Sequence, residues 1–180
     1  IWTPNLADTH FNKLQTAQSA ALRIATGCTK MTDVGHLLTE CKTMAVKPHC
    51  EMLAKQFLLA STKPNHPNHT NIYDRPPRNM KDTLVTKFAD EISLLTTDGT
   101  ITEENYKVLI GHIHTESVRA AVDSLGDSKV TGCRPLPISG VERRPPRRTR
   151  CTLSQLRSGY SPFLNSYLNR IDPNTDINCP

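Results

Sequence analysis

The segment VKPHCEMLAKQFLLAS at residues 46–61 carries the most apolar helical pattern in the chain. Pro48 suits the first turn of a helix, where the N–H that proline lacks would have no partner. The apolar residues that follow recur at helical spacing and would form one stripe: Met52, Leu53, Phe57, Leu58 and Leu59. The segment predicts a helix from Pro48 to about Ser61 and sets the expectation of an all-α fold.

The flanking sequence is also typical of helices. Apolar residues recur every three to four positions in six further segments: 9–26, 32–38, 84–98, 102–126, 152–159 and 163–168. Gly27 stands where a left-handed residue would end the first of these helices. Thr152 and Gln155 have the spacing of a capping box. No segment shows the strict alternation of a β-strand, so we predict a small helical bundle.

Two stretches are too rich in proline for regular structure. Residues 62–79 hold four prolines and four asparagines, which predicts a surface loop. Further on, prolines alternate with arginines, a composition typical of an extended, polyproline-like tether. The chain therefore divides into a helical segment 1–61, the loop 62–79, a two-helix segment 80–126, the tether 127–151 and a short helical segment 152–180.

Basic charge is concentrated at this tether. The chain has 180 residues and a net charge of +5, whereas residues 134–157 alone contain seven arginines against one acid, Glu142. Arginine pairs with phosphate oxygens in bidentate geometry, and the prolines would keep the segment extended along a nucleic-acid backbone. The alternative interpretation is a solvated linker.

We predict that these arginines contact RNA or DNA. Five of them fall between residues 143 and 150, a density greater than a linker requires, and a sixth follows in the next predicted helix. The candidate residues are Arg143, Arg144, Arg147, Arg148, Arg150 and Arg157. Affinity that depends on phosphates should weaken as salt rises.

Several function classes find no support in the sequence. It contains no G-x-x-x-x-G-K-[ST], G-x-G-x-x-G, G-x-S-x-G or H-E-x-x-H motif, and no Asp-Asp pair for a two-metal polymerase site. No stretch approaches the roughly 18 to 20 uninterrupted apolar residues that span a bilayer. We therefore expect no catalytic residue, no cofactor in this chain alone and no membrane partner.

The cysteines favour a reducing compartment. Six cysteines in 180 residues are too few for a disulfide scaffold, and Cys50 falls in a predicted helix. Their even number and the acceptor pattern Asn68-His69-Thr70 leave a secreted, disulfide-bonded protein as an alternative. We expect free thiols and an intracellular protein, in the nucleus or the cytoplasm, that is not secreted.

Three groups of side chains are candidate metal sites: His112 with His114, His66 with His69, and Cys41 with His49 and Cys50. Residues two apart on a helix diverge by about 200°, so the first pair cannot chelate one ion. The second pair lacks nearby cysteines, and core or boundary cysteines explain the third group better. Zinc is the lesser alternative at these last two.

Parts of the chain resemble the region that follows the polymerase core in reverse transcriptases of jockey-like non-LTR retrotransposons. The matching blocks are IWTP at 1–4, KLQxxQxxALRxxxG at 13–27, VKPHxEMLxKQF at 46–57 and RRTRxxLSQLRSG at 147–159. They occur in the order that the family has, and together they extend over nearly the whole chain.

The resemblance implies a place in a polyprotein. In the family, an endonuclease and an RNA-directed DNA polymerase, with its divalent metal, precede this region, and a zinc knuckle beginning Cys-Pro-x-Cys follows it. Cys179 would be the first zinc ligand of that knuckle in a longer chain. Residues 1–61 would be the helical thumb beside the primer-template duplex, and the arginines would contact template RNA or target DNA. The family's catalytic aspartates match nothing in this chain.

Three further expectations complete this interpretation. Ile1 in place of Met, and Cys179-Pro180 at the other end, suggest a fragment that works with an upstream polymerase domain. A truncated element without function is one alternative. A helical protein-interaction module that uses its Arg/Pro segment as a docking peptide is another.

Overall fold

The computed structural model of the chain describes residues 6–63, 65–67, 87–88, 91–92, 101, 103–127, 139–141 and 144–177. Six α-helices are bounded within these residues: α1 Asp8–Thr26, α2 Val34–Cys41, α3 Val46–Ser61, α4 Glu103–Asp123, α5 Arg147–Ser158 and α6 Asn165–Ile171. The described residues contain no β-strand, which confirms the all-α prediction. None of their helices is both long and apolar enough to cross a membrane.

The helices predicted in the first third of the chain are confirmed, with small shifts at their ends. α1 ends before Gly27, whose φ of +72° is the left-handed conformation expected there. α2 is capped by Asp33, whose carboxylate accepts a hydrogen bond from a backbone N–H two residues later. α3 begins at Val46, so Pro48 is third in the helix instead of first. The first four N–H groups of a helix have no intrahelical partner, which is why proline is tolerated there.

Other predictions lie partly outside the described residues. Within the predicted helix 84–98, residues 87, 88, 91 and 92 are helical, and Phe88 and Ile92 are buried as their spacing predicts. Most of the loop 62–79 lies outside, as do Thr102 and residues 128–138 of the tether. The helix predicted at 102–126 is α4.

The tether prediction is wrong at its C-terminal end. Residues 147–150 form the first turn of α5, so the helix predicted to begin at Thr152 begins earlier. The reason is the N-cap residue Pro146, because proline can precede a helix without an N–H and arginine is a good helix former. Thr152 is not a cap, since its hydroxyl donates to the carbonyl of Arg148 at 3.1 Å. The predicted end of the helix at Gly159, with φ +73°, is confirmed.

The chain forms two compact units that interleave along the sequence. The first contains Ile1–Asn12 and Val46–Ala121, and the second contains Lys13–Ala45 and Val122–Pro180. The composition of the sequence, by contrast, predicts segments that follow one another along the chain. Two of the three boundaries fall inside α1 and α4, where no change in composition marks them, and the third falls at the start of α3.

The first unit has an apolar core centred on α3. Leu59 is fully buried there, and seven other apolar residues are nearly so: Phe11, Met52, Ala54, Leu58, Phe88, Ile92 and Ile113. Three ion pairs lie at the surface: Lys47 with Asp8, Lys55 with Glu91 and Lys87 with Glu51. Exposed ion pairs contribute little to stability, so the apolar core accounts for most of the packing of this unit.

The second unit is held to a large extent by polar groups. Its buried apolar residues in the described part are Cys28, Leu37 and Leu38. Its buried polar residues are Ser19, Thr32, His36, Ser154, Ser158 and Ser161. Side-chain hydrogen bonds join α1, α2 and α5 in this unit.

Candidate nucleic-acid interface

α5 presents one stripe of side chains to a groove of about 420 Å³ in the second unit. Residues three or four apart share a face of a helix, and the residues of α5 that line the groove largely follow this spacing: Arg147, Arg150, Cys151, Leu153, Ser154 and Arg157. The C-terminal ends of α1 and α2 complete the lining with Ala25, Thr26, Glu40 and Cys41. Three of the predicted arginines therefore meet at one groove.

Side chains of α5 bind the C-terminal end of α1. Nη2 of Arg147 donates to the carbonyl oxygen of Ile24 at 2.8 Å, and Nε2 of Gln155 donates to that of Gly27 at 2.7 Å. The last carbonyls of a helix lack intrahelical partners and carry partial negative charge, so a guanidinium is favourable there. This bond uses one of the five N–H donors of Arg147, which is still exposed.

Arg157 neutralises a buried carboxylate. Its Nε lies 2.9 Å from Oε1 of Glu40, whose side chain is 8% exposed. Nε2 of His36 lies 3.5 Å from the same oxygen and 3.2 Å from the carbonyl oxygen of Ser154. Because a carbonyl only accepts, we assign the ring proton to Nε2. Arg157 thus has a structural partner, and it is less available to a phosphate than the exposed arginines of α5.

Burial sets the protonation of two side chains in this region. Burial, with a smaller contribution from Arg157, lowers the pKa of His36 despite the opposing effects of Glu40 and the Ser154 carbonyl, so the ring is neutral near pH 7. Burial also raises the pKa of the Cys41 thiol, with smaller contributions from Glu40 and Cys28. Cys41 therefore lines the groove as a neutral thiol.

Arg144, Arg148 and Arg150 are exposed and have no side-chain partner in the described part of the chain. They lie in or just before the first turn of α5, where Pro146 provides no side-chain cap and no acidic residue is present. A positive charge at a helix N-terminus is unfavourable by about 0.3 to 1 kcal/mol at low ionic strength. A bound anion would relieve this repulsion, and the uncapped N–H groups of the turn would donate to it.

Of the other residues singled out in the sequence, Cys41 lines the groove, whereas Cys50 and the described candidate histidines do not. Arg143, His69 and Cys179 lie outside the described residues. His112 and His114 are exposed on α4, and His66 packs edge-on against a phenylalanine ring. Within the described ranges, no three His, Cys, Asp or Glu side chains are grouped so that they could hold a metal ion.

Sequence reasoning missed the partners that fix α5 in place. His36 and Glu40 are four residues apart, the spacing at which helical side chains meet, and this could have suggested their pairing. Nothing in the sequence linked them to α5, because residues 36 and 154 are 118 positions apart. Gln155 was interpreted as part of a capping box and instead binds a carbonyl of the residue that follows α1.

Comparison of the chain with protein-family models, with curated proteins and with solved structures finds no match in any of the three. What the chain does is therefore inferred from its own residues, from the groove and from the first turn of α5.

Proposed function

We propose that this chain binds nucleic acid through the phosphate backbone, as a non-catalytic part of a retrotransposon reverse transcriptase. The binding surface is the first turn of α5 together with Arg144, which precedes it. Template RNA and target DNA are the partners that this role offers, and the upstream polymerase domain of the same polyprotein is the protein partner.

One observation carries the binding proposal: several positive charges lie at one helix end, with no acidic partner among the described residues. Arg148 and Arg150 are exposed beside uncapped backbone N–H groups, with no acid in the turn. A nucleic acid offers phosphates at regular spacing and can therefore pair with several of these guanidinium groups at once. A solvated linker would not require the charges to be held together on a folded helix.

Fluorescence anisotropy with labelled RNA and DNA tests the proposal. The variant Arg148→Gln/Arg150→Gln removes two charges from α5. The matched control Lys13→Gln/Lys107→Gln removes the same charge from exposed positions elsewhere. We expect the first variant to bind at least about tenfold more weakly, because with fewer phosphate contacts fewer counterions are released from the nucleic acid on binding. An equal loss of affinity in the two variants would refute a specific role of α5.

The polyprotein origin has a separate test. Sequencing the source transcript on both sides of the chain should show an open frame with a Tyr-x-Asp-Asp polymerase motif upstream and the rest of a Cys-x-x-Cys knuckle downstream. A start codon just before Ile1 and a stop codon after Pro180 would contradict the polyprotein while leaving the binding proposal intact.

We also propose an intracellular location, in the nucleus or the cytoplasm, where nucleic acid is found. Free thiols at the described cysteines support this: Cys28, Cys41, Cys50 and Cys151. Identical migration of the reduced and oxidised protein on a gel is the expected result, and a shift on oxidation would favour a secreted protein.

The docking-peptide alternative is disfavoured at residues 147–150, because they are helical and not extended.

A further inference from the structure

We propose that the groove beside α5 holds one unstacked nucleotide of a single-stranded nucleic acid. The phosphate would lie at Arg147 and Arg150, and the base would lie against the neutral wall formed by Ala25, Cys151 and Leu153. This inference rests on the proposed binding of nucleic acid. Beyond that proposal, it specifies which form of nucleic acid the chain prefers and where one nucleotide is bound.

The groove is cationic at one end only. Arg147 and Arg150 line it at the first turn of α5. Towards the other end of the helix, the charge of Arg157 is cancelled by Glu40 at 2.9 Å. The residues between these ends are uncharged: Cys151, Leu153 and Ser154. A nucleotide has the same division, with an anionic phosphate at one end and a neutral base at the other.

The groove also has a suitable size. A helix rises 1.5 Å per residue, so the groove residues Arg150 and Arg157 lie about 10 Å apart along α5, which leaves length for a sugar and a base beyond the phosphate. The volume of about 420 Å³ falls within the roughly 300 to 1,000 Å³ of sites that bind small molecules. A phosphate group alone would leave most of this space empty.

A groove of this kind favours single-stranded over duplex nucleic acid. A base that is paired and stacked in a duplex must leave the stack before it can enter a groove between helices, and this costs free energy. Bases of a single strand are already accessible, so a protein can bind them without first taking them out of a duplex. The groove should therefore contribute to the binding of single strands and not to that of duplexes.

Filling the groove without changing its charge provides the test. Ala25 is exposed at the C-terminal end of α1 and lines the groove, so Ala25→Trp should occupy the space of the base. Ala17→Trp is the matched control, since Ala17 is exposed on the same helix away from the groove. We expect Ala25→Trp to weaken the binding of single strands of about 12 nucleotides about tenfold, and to leave duplex binding unchanged.

Thiol alkylation gives an independent readout on the unaltered chain. Cys151 lines the groove and is half-buried, whereas Cys50 lies in the other compact unit and serves as the reference. A saturating single-stranded oligonucleotide should slow the reaction of Cys151 with iodoacetamide and leave that of Cys50 unchanged, as measured by mass spectrometry. If Ala25→Trp fails to fold, this measurement decides alone.

The outcomes separate this inference from the proposed function. Suppose that Cys151 reacts equally fast with and without the oligonucleotide, and that Ala25→Trp binds single strands normally. If Arg148→Gln/Arg150→Gln then still weakens binding, the groove holds no nucleotide, while the proposed function stands. If the wild-type chain binds neither single strands nor duplexes, both are overturned.

Discussion

A Cβ atom on Gly27 would lie 2.8 Å from both the Cβ and the Sγ of Cys151, so α5 approaches the end of α1 at a point where no side chain fits. Gly27 also has φ +72°, a conformation that other residues rarely adopt. Gln155 fixes this approach through its hydrogen bond to the Gly27 carbonyl. The position of the arginines on α5 therefore depends on a glycine far from them in sequence.

Replacing this glycine should destabilise the second unit. Gly27→Ala combines a left-handed alanine with a clash against Cys151, and we expect it to lower the free energy of unfolding by about 2 kcal/mol or more. Urea unfolding followed by circular dichroism measures the change. Gly111→Ala is the control: Gly111 lies within α4 with nothing near its Cβ position, so alanine should stabilise the chain by about 0.5 to 1 kcal/mol. Wild-type stability of Gly27→Ala would contradict the contact with Cys151.

The ion pair between Arg157 and Glu40 should matter more than the ion pairs at the surface. Arg157→Gln leaves the Glu40 carboxylate buried without its countercharge, and we expect a loss of roughly 3 kcal/mol in the free energy of unfolding. Glu40→Gln in the same chain should restore part of this loss. Lys47→Gln breaks the exposed pair with Asp8 and should change little. Equal effects of Arg157→Gln and Lys47→Gln would show that Glu40 is not buried.

Because His36 is buried, the stability of the folded chain should depend on pH. Burial lowers its pKa in the folded chain below the ordinary 6.5, despite the opposing effect of Glu40. The unfolded chain therefore takes up the proton first, so the stability present above about pH 6.5 is lost as pH falls through the folded pKa. We expect the unfolding temperature to fall as the solution is acidified below that pH. His36→Gln, whose amide can still donate to the Ser154 carbonyl, should reduce this dependence.

Three charged groups around His36 influence its pKa, and an exposed histidine provides the control for the experiment. Glu40 and Asp33 favour its protonated form, whereas Arg157 opposes it. His112→Gln removes an exposed histidine from α4 and should keep the pH dependence of the wild type. If His36→Gln and the wild type lose stability in parallel on acidification, the ring is not buried in its neutral form.

Local signals in the sequence were sufficient for much of the fold. The apolar stripe of α3 and the glycines at 27 and 159 were predicted because helix periodicity and left-handed helix ends depend on residues close in sequence. The first turn of α5 was misassigned because alternating prolines and arginines resemble an extended segment. Pro145 and Pro146 in fact precede a run of good helix formers, a signal for a helix start that the charge of the segment obscured.

The candidate site was only partly predictable. The arginines could be identified from composition, but their different surroundings could not. Arg147 binds the end of α1 and Arg157 binds Glu40, whereas Arg148 is exposed. These differences arise from contacts between helices that are distant in sequence, and periodicity contains no information about such contacts.

The salt dependence of binding tests most directly the central claim that phosphates bind at the first turn of α5. For single strands, the logarithm of the binding constant falls with the logarithm of salt concentration with a slope of about −0.7 per phosphate contact. The account predicts that Arg148→Gln/Arg150→Gln reduces the steepness by about 1.4, the value for two contacts, and that Lys13→Gln/Lys107→Gln leaves it unchanged. A slope for the α5 variant equal to that of the wild type would contradict the account.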